Sequence, residues 1–376
     1  MNNMKRYHTL DIVRGLAALS VLLSHWGGWN SPNENAVATE FIDFFQNTFQ
    51  ILLWRNGGIH PGVIIFIVLS GFCIHLPQAL DPGKLTQPGF WKVFAVRRGR
   101  RILPVYWAGL LLGVISLWLA GPAYMGDKGQ IINIDLIFSI FGIAEIARIF
   151  GVIALHPGNG PLETVAVEML LYASYPLFLF IHRTSGLRTL VGFGLIMYFG
   201  VIILRLIGIN PSRLHGTYFE FIIYWIIGAA SAGIFATRNL NRRDISFKFW
   251  VLVIVGYLLY LALTTYIRVK GFHVVTTLLL SILTGISLIL LLSLERHLSQ
   301  QQAKMAAIMA VLGARSYSLY VIHTPAILTS LWFLSVHTKL PASSYPLLTL
   351  VAAFISTEIL FRLVERPSHK YAGQFR

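Results

Sequence analysis

Arg14 and His25 stand eleven residues apart in the first hydrophobic segment, Leu10–Trp29 (LDIVRGLAALSVLLSHWGGW). That stretch is long enough to span a bilayer as one helix. Eleven residues is close to three α-helical turns, which puts the two side chains within roughly 20° of each other and about 16 Å apart along the axis. An imidazole moves protons near neutral pH, and a guanidinium binds anions. Both are costly in lipid, so one stripe carrying the two points to a functional interior face. The plainer structural alternative is an i, i+3 pair of Asp11 with Arg14, with His25 reaching out to the interface.

The chain that must position this stripe is built for lipid. Of its 376 residues, 56% are hydrophobic and 12% charged, whereas a soluble protein carries about a quarter charged residues. Apolar segments recur from end to end, so helices rather than barrel strands do the spanning. Lys5 and Arg6 precede the first segment as in a signal peptide, but Arg14 interrupts it and no small-x-small cleavage site follows. It therefore reads as a retained first helix. The net charge of +15 would suit nucleic acid. The basic residues fall between hydrophobic segments, however, where orientation and phosphate contacts explain them better, and no nucleic-acid partner is expected. The single cysteine, Cys73, lies in an apolar run, which excludes an intrachain disulfide and fits a buried small hydrophobe.

Eleven hydrophobic stretches begin near Leu10, Ile59, Ile102, Ile131, Thr164, Thr189, Thr217, Phe249, Phe272, Gly313 and Ser344. The fourth, Ile131–Leu155, carries Asn133, Asp135, Glu145 and Arg148. If all eleven crossed, the cluster Arg97–Arg101 and the run Arg238–Lys248 would face opposite sides. Removing the fourth places most Lys and Arg on the cytoplasmic side, with both termini there. The expectation is one all-α polytopic domain over residues 1–376, with about ten transmembrane helices. Residues 131–155 are expected to form an amphipathic or re-entrant outer segment. His25 then lies near the outer end of the first helix and is followed by a long outer loop, Asn30–Gly58. Arg14 lies deeper, and Arg97–Arg101 marks the inner base of the third helix. No low-complexity tract or internal repeat is evident.

Several motifs accompany the Arg-x10-His pattern of Arg14 and His25. FIVLSGF occupies Phe66–Phe72. Arg98 and Arg101 lead into Pro104, Tyr106 and Trp107. ETVAVEMLLY carries Glu168 and Tyr172, with Tyr175 and Pro176 beyond, and SYSLYVIHTP spans Ser316–Pro325. Glu365-Arg366-Pro367 closes the series. In this order, over nearly the whole length, the chain resembles the membrane-bound acyltransferase 3 family. Bacterial members of that family O-acylate surface and secreted glycans and some antibiotics. Glu163 stands where the family usually has Trp and Ala166 where it often has Ser, which puts acceptor-site details in doubt more than the reaction. No C-terminal SGNH-type esterase domain follows, so the chain resembles the stand-alone form.

The resemblance implies a role for each residue. An acyl-CoA donor, expected to be acetyl-CoA, carries phosphates that Arg97, Arg98 and Arg101 suit. Tyr106 and Ser70 are further candidates for donor binding. His25 would take the proton of an acceptor hydroxyl, and Arg14 would stabilise the oxyanion or hold the thioester. Glu168 would either orient His25, as a triad carboxylate does, or neutralise Arg14. His323 reads rather as a packing hydrogen bond to a neighbouring Ser or Tyr. Packing is as good an account of Ser70-Gly71 as ligand approach, and Trp26, Trp29, Tyr106 and Trp107 fit an interfacial aromatic belt. The geometry calls for a cavity running from Arg98 and Arg101 toward His25, lined by Arg14.

The expected activity is O-acyl transfer in a bacterial inner membrane, from acyl-CoA to a hydroxyl of a glycan or glycolipid, with no metal. Two other readings remain open on the residues. One is a transporter using Arg14, His25 and Glu168 as a binding and proton-relay cluster. The other is an acyltransferase for a small lipophilic molecule such as a macrolide.

Overall fold

In a computed structural model of the chain, the described residues are 7–26, 59–124, 133–149, 156–208, 218–238, 247–270 and 274–373. The predicted loop Asn30–Gly58 and Trp29 lie outside them. The helices are α1 (His8–Trp26), α2 (Pro61–Leu80), α3 (Phe90–Tyr124), α4 (Asn133–Ile140), α5 (Ala144–Ile149), α6 (Leu162–Leu206) and α7 (Tyr218–Thr237). They continue with α8 (Phe247–Lys270), α9 (Val274–Glu295), α10 (Gln300–Ala314), α11 (Ser316–His337), α12 (Tyr345–Leu360) and α13 (Arg366–Gly373), and a π-helical turn, Phe361–Glu365, joins the last two.

Seven helices among the described residues are long and apolar enough to cross a membrane. One of them, α6, is two helices: Gly186 adopts φ +83° in its middle, a conformation that a residue without Cβ reaches at no steric cost. Counting its halves separately gives eight; α1 and the shorter apolar helix in α8 are not among the seven, and the expected ten is reached only if both also cross. The chain is thus an all-α, multi-pass membrane protein. α3 begins at Phe90, a dozen residues ahead of its apolar run, because the arginines are part of the helix.

The chain divides into two compact units. The first comprises Met1–Ala17, Trp54–Gln87 and Ala173–Ala314, and the second Ala18–Leu53, Pro88–Tyr172 and Arg315–Arg376. In the first, α2 and α7 touch through glycines. A β-carbon on Gly71 would sit 2.0 Å from the Trp225 carbonyl oxygen, and one on Gly228 2.0 Å from that of Val68. Small residues let apolar helices approach to backbone contact, which is how helices associate in lipid. The start of α1 is fixed by Glu295, whose carboxylate oxygens accept from the His8 and Thr9 N–H groups at 2.6 and 2.9 Å. This satisfies orphan donors and opposes the positive end of the helix dipole.

In the second unit, Glu365 does the same for α11, accepting from the Ser318 N–H at 3.0 Å and its hydroxyl at 2.5 Å. The π-helical turn ends on this carboxylate. Asn159 Nδ2 donates to the carbonyls of Gly109 on α3 and Val321 on α11, at 3.0 and 2.8 Å. The pair α4–α5 is the segment expected to be amphipathic or re-entrant. Its turn lies against the middle of α3, where the Tyr106 hydroxyl donates to Ser139 O (2.6 Å) and Trp107 Nε1 to Ile140 O (3.0 Å). Both carbonyls lie in the last turn of α4, and that of Ser139 also accepts from the Gly142 N–H at 3.0 Å. α4 and α5 are each too short to span a bilayer, and donors from α3 cover the turn between them, as non-helical backbone at membrane depth would require.

Candidate active site

His25 and His323 come together in the second unit. His25 lies in the last turn of α1, half-buried, and His323 is wholly buried on α11. His25 Nδ1 is 2.9 Å from the Val21 carbonyl of its own helix and 3.3 Å from His323 Nε2. His323 Nδ1 is 3.1 Å from the Leu319 carbonyl. A carbonyl only accepts, so each Nδ1 carries the proton in the neutral ring. His323 Nε2 then offers its lone pair to the His25 Nδ1–H. The same assignment leaves the lone pair of His25 on Nε2, the atom a general base uses. A proton arriving there makes an imidazolium whose Nδ1–H already faces two acceptors.

His323 was expected to pack with a neighbouring Ser or Tyr; the Tyr320 ring does lie edge-on to it at 6.0 Å, and its hydrogen-bond partners include His25. Glu168 is engaged on its own helix. Its carboxylate, half-buried on α6, accepts from the Tyr172 hydroxyl one turn later. Tyr172 in turn presents its ring to Arg98, whose guanidinium carbon lies 5.5 Å from that centroid and 5.7 Å from the centroid of Phe94. Both distances lie within the range of cation–π attraction. Arg98 and Arg101 are half-buried, and Arg97 and Arg100 are exposed. The i, i+3 spacing puts the first two on one face of α3.

Tyr106 departs from the aromatic-belt expectation. It is fully buried, bonded to Ser139 and 3.1 Å from His156 Nε2, because the end of α4 and His156 lie against it. Trp107 is exposed. Trp26 Nε1 donates to Pro346 O at 2.8 Å, tying the end of α1 to the start of α12.

Arg14 belongs to the first unit. Its Nη1 donates to Asp11 Oδ1 at 3.0 Å and its Nη2 to Cys73 Sγ at 3.4 Å. The i, i+3 pair with Asp11 is thus formed, and α1 is unbroken from His8 to Trp26, as the helical spacing to His25 requires. Asp11 is held at its backbone as well, since a β-carbon on Gly313 would sit 1.7 Å from the Asp11 carbonyl oxygen. Ser70 is buried on α2 beside Gly71, whose contact with Trp225 is the packing alternative for that motif.

A family model described as an acyltransferase domain matches residues 7–361. The peptidoglycan O-acetyltransferase OatA of Listeria monocytogenes is 26% identical over 338 residues, covering 84% of this chain and 52% of that protein. The O-acetyltransferase OatA of Staphylococcus aureus is 24% identical, covering 84% and 53%. The chain thus spans about half the length of the curated relatives it matches. No solved structure matches it. The motif residues of α1, α2, α3, α6 and α11 fall within the matched residues, and the chain belongs to the acyltransferase 3 family.

Proposed function

We propose that the protein is an O-acyltransferase of a bacterial inner membrane, moving an acetyl group from acetyl-CoA to a hydroxyl of a surface or secreted glycan. The observation that carries this reading is the His25–His323 pair, whose hydrogen bonds favour a His25 ring with its lone pair on Nε2. In the transfer, His25 takes the acceptor's hydroxyl proton as its oxygen forms the bond to the acyl carbon. The carbon–sulfur bond of the thioester breaks, and the proton returns to the departing sulfur, giving ester and free CoA thiol. Arg14, about three turns away from His25 along α1, holds the pantetheine arm of the donor so that the thioester is in line with His25. Arg98 and Arg101 hold the CoA phosphates from the cytoplasmic side, with both chain termini on that side.

The name of the Listeria relative makes peptidoglycan the first acceptor to try. Radiolabelled acetyl-CoA supplied to inverted membrane vesicles should yield alkali-labile label on muramic or other glycan hydroxyls. The Arg98→Ala, Arg101→Ala double variant should weaken CoA binding by calorimetry. Unchanged binding in that variant, or label confined to CoA and acetate, defeats the reading.

A further inference from the structure

The first unit contains a cavity of about 260 Å³ formed by the end of α2, the two halves of α6 around Gly186, and the last turns of α7. None of the residues assigned to acyl transfer lines it. An apolar cavity of roughly 150 Å³ already admits a benzene ring, so this one has room for a run of methylenes. Most of its wall is aliphatic or aromatic. Leu187 and Ile234, two of its lining residues, are 37% and 40% exposed, so apolar side chains of the wall reach the surface of the unit.

The polar groups of the wall are His75, Tyr175, His182, Trp225 and Thr237, and no carboxylate is among the described residues lining it. Trp225 is fully buried, yet its Nε1–H has no acceptor among the described residues, and neither does the buried Nδ1 of His182 have a partner there. An indole N–H only donates, and an unsatisfied buried donor costs more than a satisfied one contributes. His75 already uses Nδ1 on the Tyr175 hydroxyl, at 3.1 Å, with its ring edge-on to His182 at 5.8 Å. Outside the wall, Arg183 and Arg188 flank His182 and Leu187 in sequence and are exposed. Arg183 leans on the Pro82 carbonyl at 3.3 Å. Apolar volume, an unanswered donor and flanking cations together specify an apolar chain with an anionic acceptor at one end.

We infer that this cavity binds a single fatty acid, its chain among the apolar residues and its carboxylate accepting from Trp225 or the histidine pair. The inference stands apart from the acyl-transfer reading, because its test uses neither CoA nor glycan. Dodecanoic acid carrying a chain diazirine is photolysed with the purified full chain in nanodiscs, and adducts are mapped by peptide mass spectrometry. Label should concentrate on 175–190 and 225–237 and be displaced by excess dodecanoate but not by dodecan-1-ol. Gly233→Leu should abolish it. A β-carbon at Gly233 meets no atom within 4 Å, so the leucine enters the void without a clash. Trp225→Phe keeps the ring and removes the N–H, and should lower labelling about tenfold, the effect of one hydrogen bond to a charged group. It decides the matter if the leucine variant does not fold. Label spread equally over α8, insensitive to dodecanoate or unchanged in the variants, overturns the proposal, as does equal displacement by the alcohol.

Discussion

His25 Nδ1 and His323 Nε2 meet at 3.3 Å although 298 residues separate them in the chain. The contact joins the end of α1 to the middle of α11 and gives the His25 Nδ1–H, already on the Val21 carbonyl, a second acceptor. In the proposed transfer His323 acts as a positioning residue. Replacing it with Ala should lower kcat by roughly an order of magnitude while leaving KM for the acyl donor near its original value, with the loss of the His25 base itself as the ceiling. His323→Gln, whose side-chain carbonyl can accept from the His25 Nδ1–H, should recover part of the rate. Equal loss with Gln and Ala, or a change confined to KM, would show that His323 only packs.

His25→Ala should abolish transfer, a loss of roughly 10²–10⁴-fold for removal of a general base, while CoA affinity by calorimetry stays within error. In the parent protein, kcat/KM should fall on acidification, because a ring already protonated at Nε2 cannot accept the hydroxyl proton. A flat acid limb, with the variant still active, would take His25 out of the mechanism.

Arg14 uses two different nitrogens at once, one on Asp11 and one on Cys73. A lysine ammonium is a point charge and cannot reproduce that fork. Arg14→Lys should therefore be nearly as inactive as Arg14→Ala in the acetyl-transfer assay. Turnover near the parent rate with lysine would mean that charge alone is required at this position.

Hydropathy located most helices to within about two residues: the halves of α6 were expected from Thr164 and Thr189, and α8 from Phe249. The bilayer limits such runs directly, and apolar length is written in the sequence. The same measure misplaced the start of α3, since Arg97–Arg101 continue the helix beyond its apolar run. The polar residues of 131–155 correctly argued against a span. What holds the turn between α4 and α5, Tyr106 and Trp107 donating to its carbonyls, is a tertiary contact that no periodicity records. The site divides along the same line. Residues sharing α1 or α3 were legible from helical spacing, whereas the partner of His25, the ring beneath Arg98 and the staple formed by Asn159 depend on which helices meet.

The glycines give a stability prediction that is independent of chemistry. Gly71→Ala places a methyl 2.0 Å from the Trp225 carbonyl oxygen. Backbone cannot turn aside as a flexible side chain can, so α2 and α7 must separate. Overpacking of this kind costs about 1–3 kcal/mol, and the melting temperature in detergent should fall by several degrees. Gly192 lies within the second half of α6, and a β-carbon there meets nothing within 4 Å. Gly192→Ala restricts only the unfolded chain and should leave stability unchanged or raise it by roughly 0.4–1 kcal/mol. Thermal melts of the two variants side by side check the pair. Equal effects would mean that the backbone contact between α2 and α7 is looser than these distances describe.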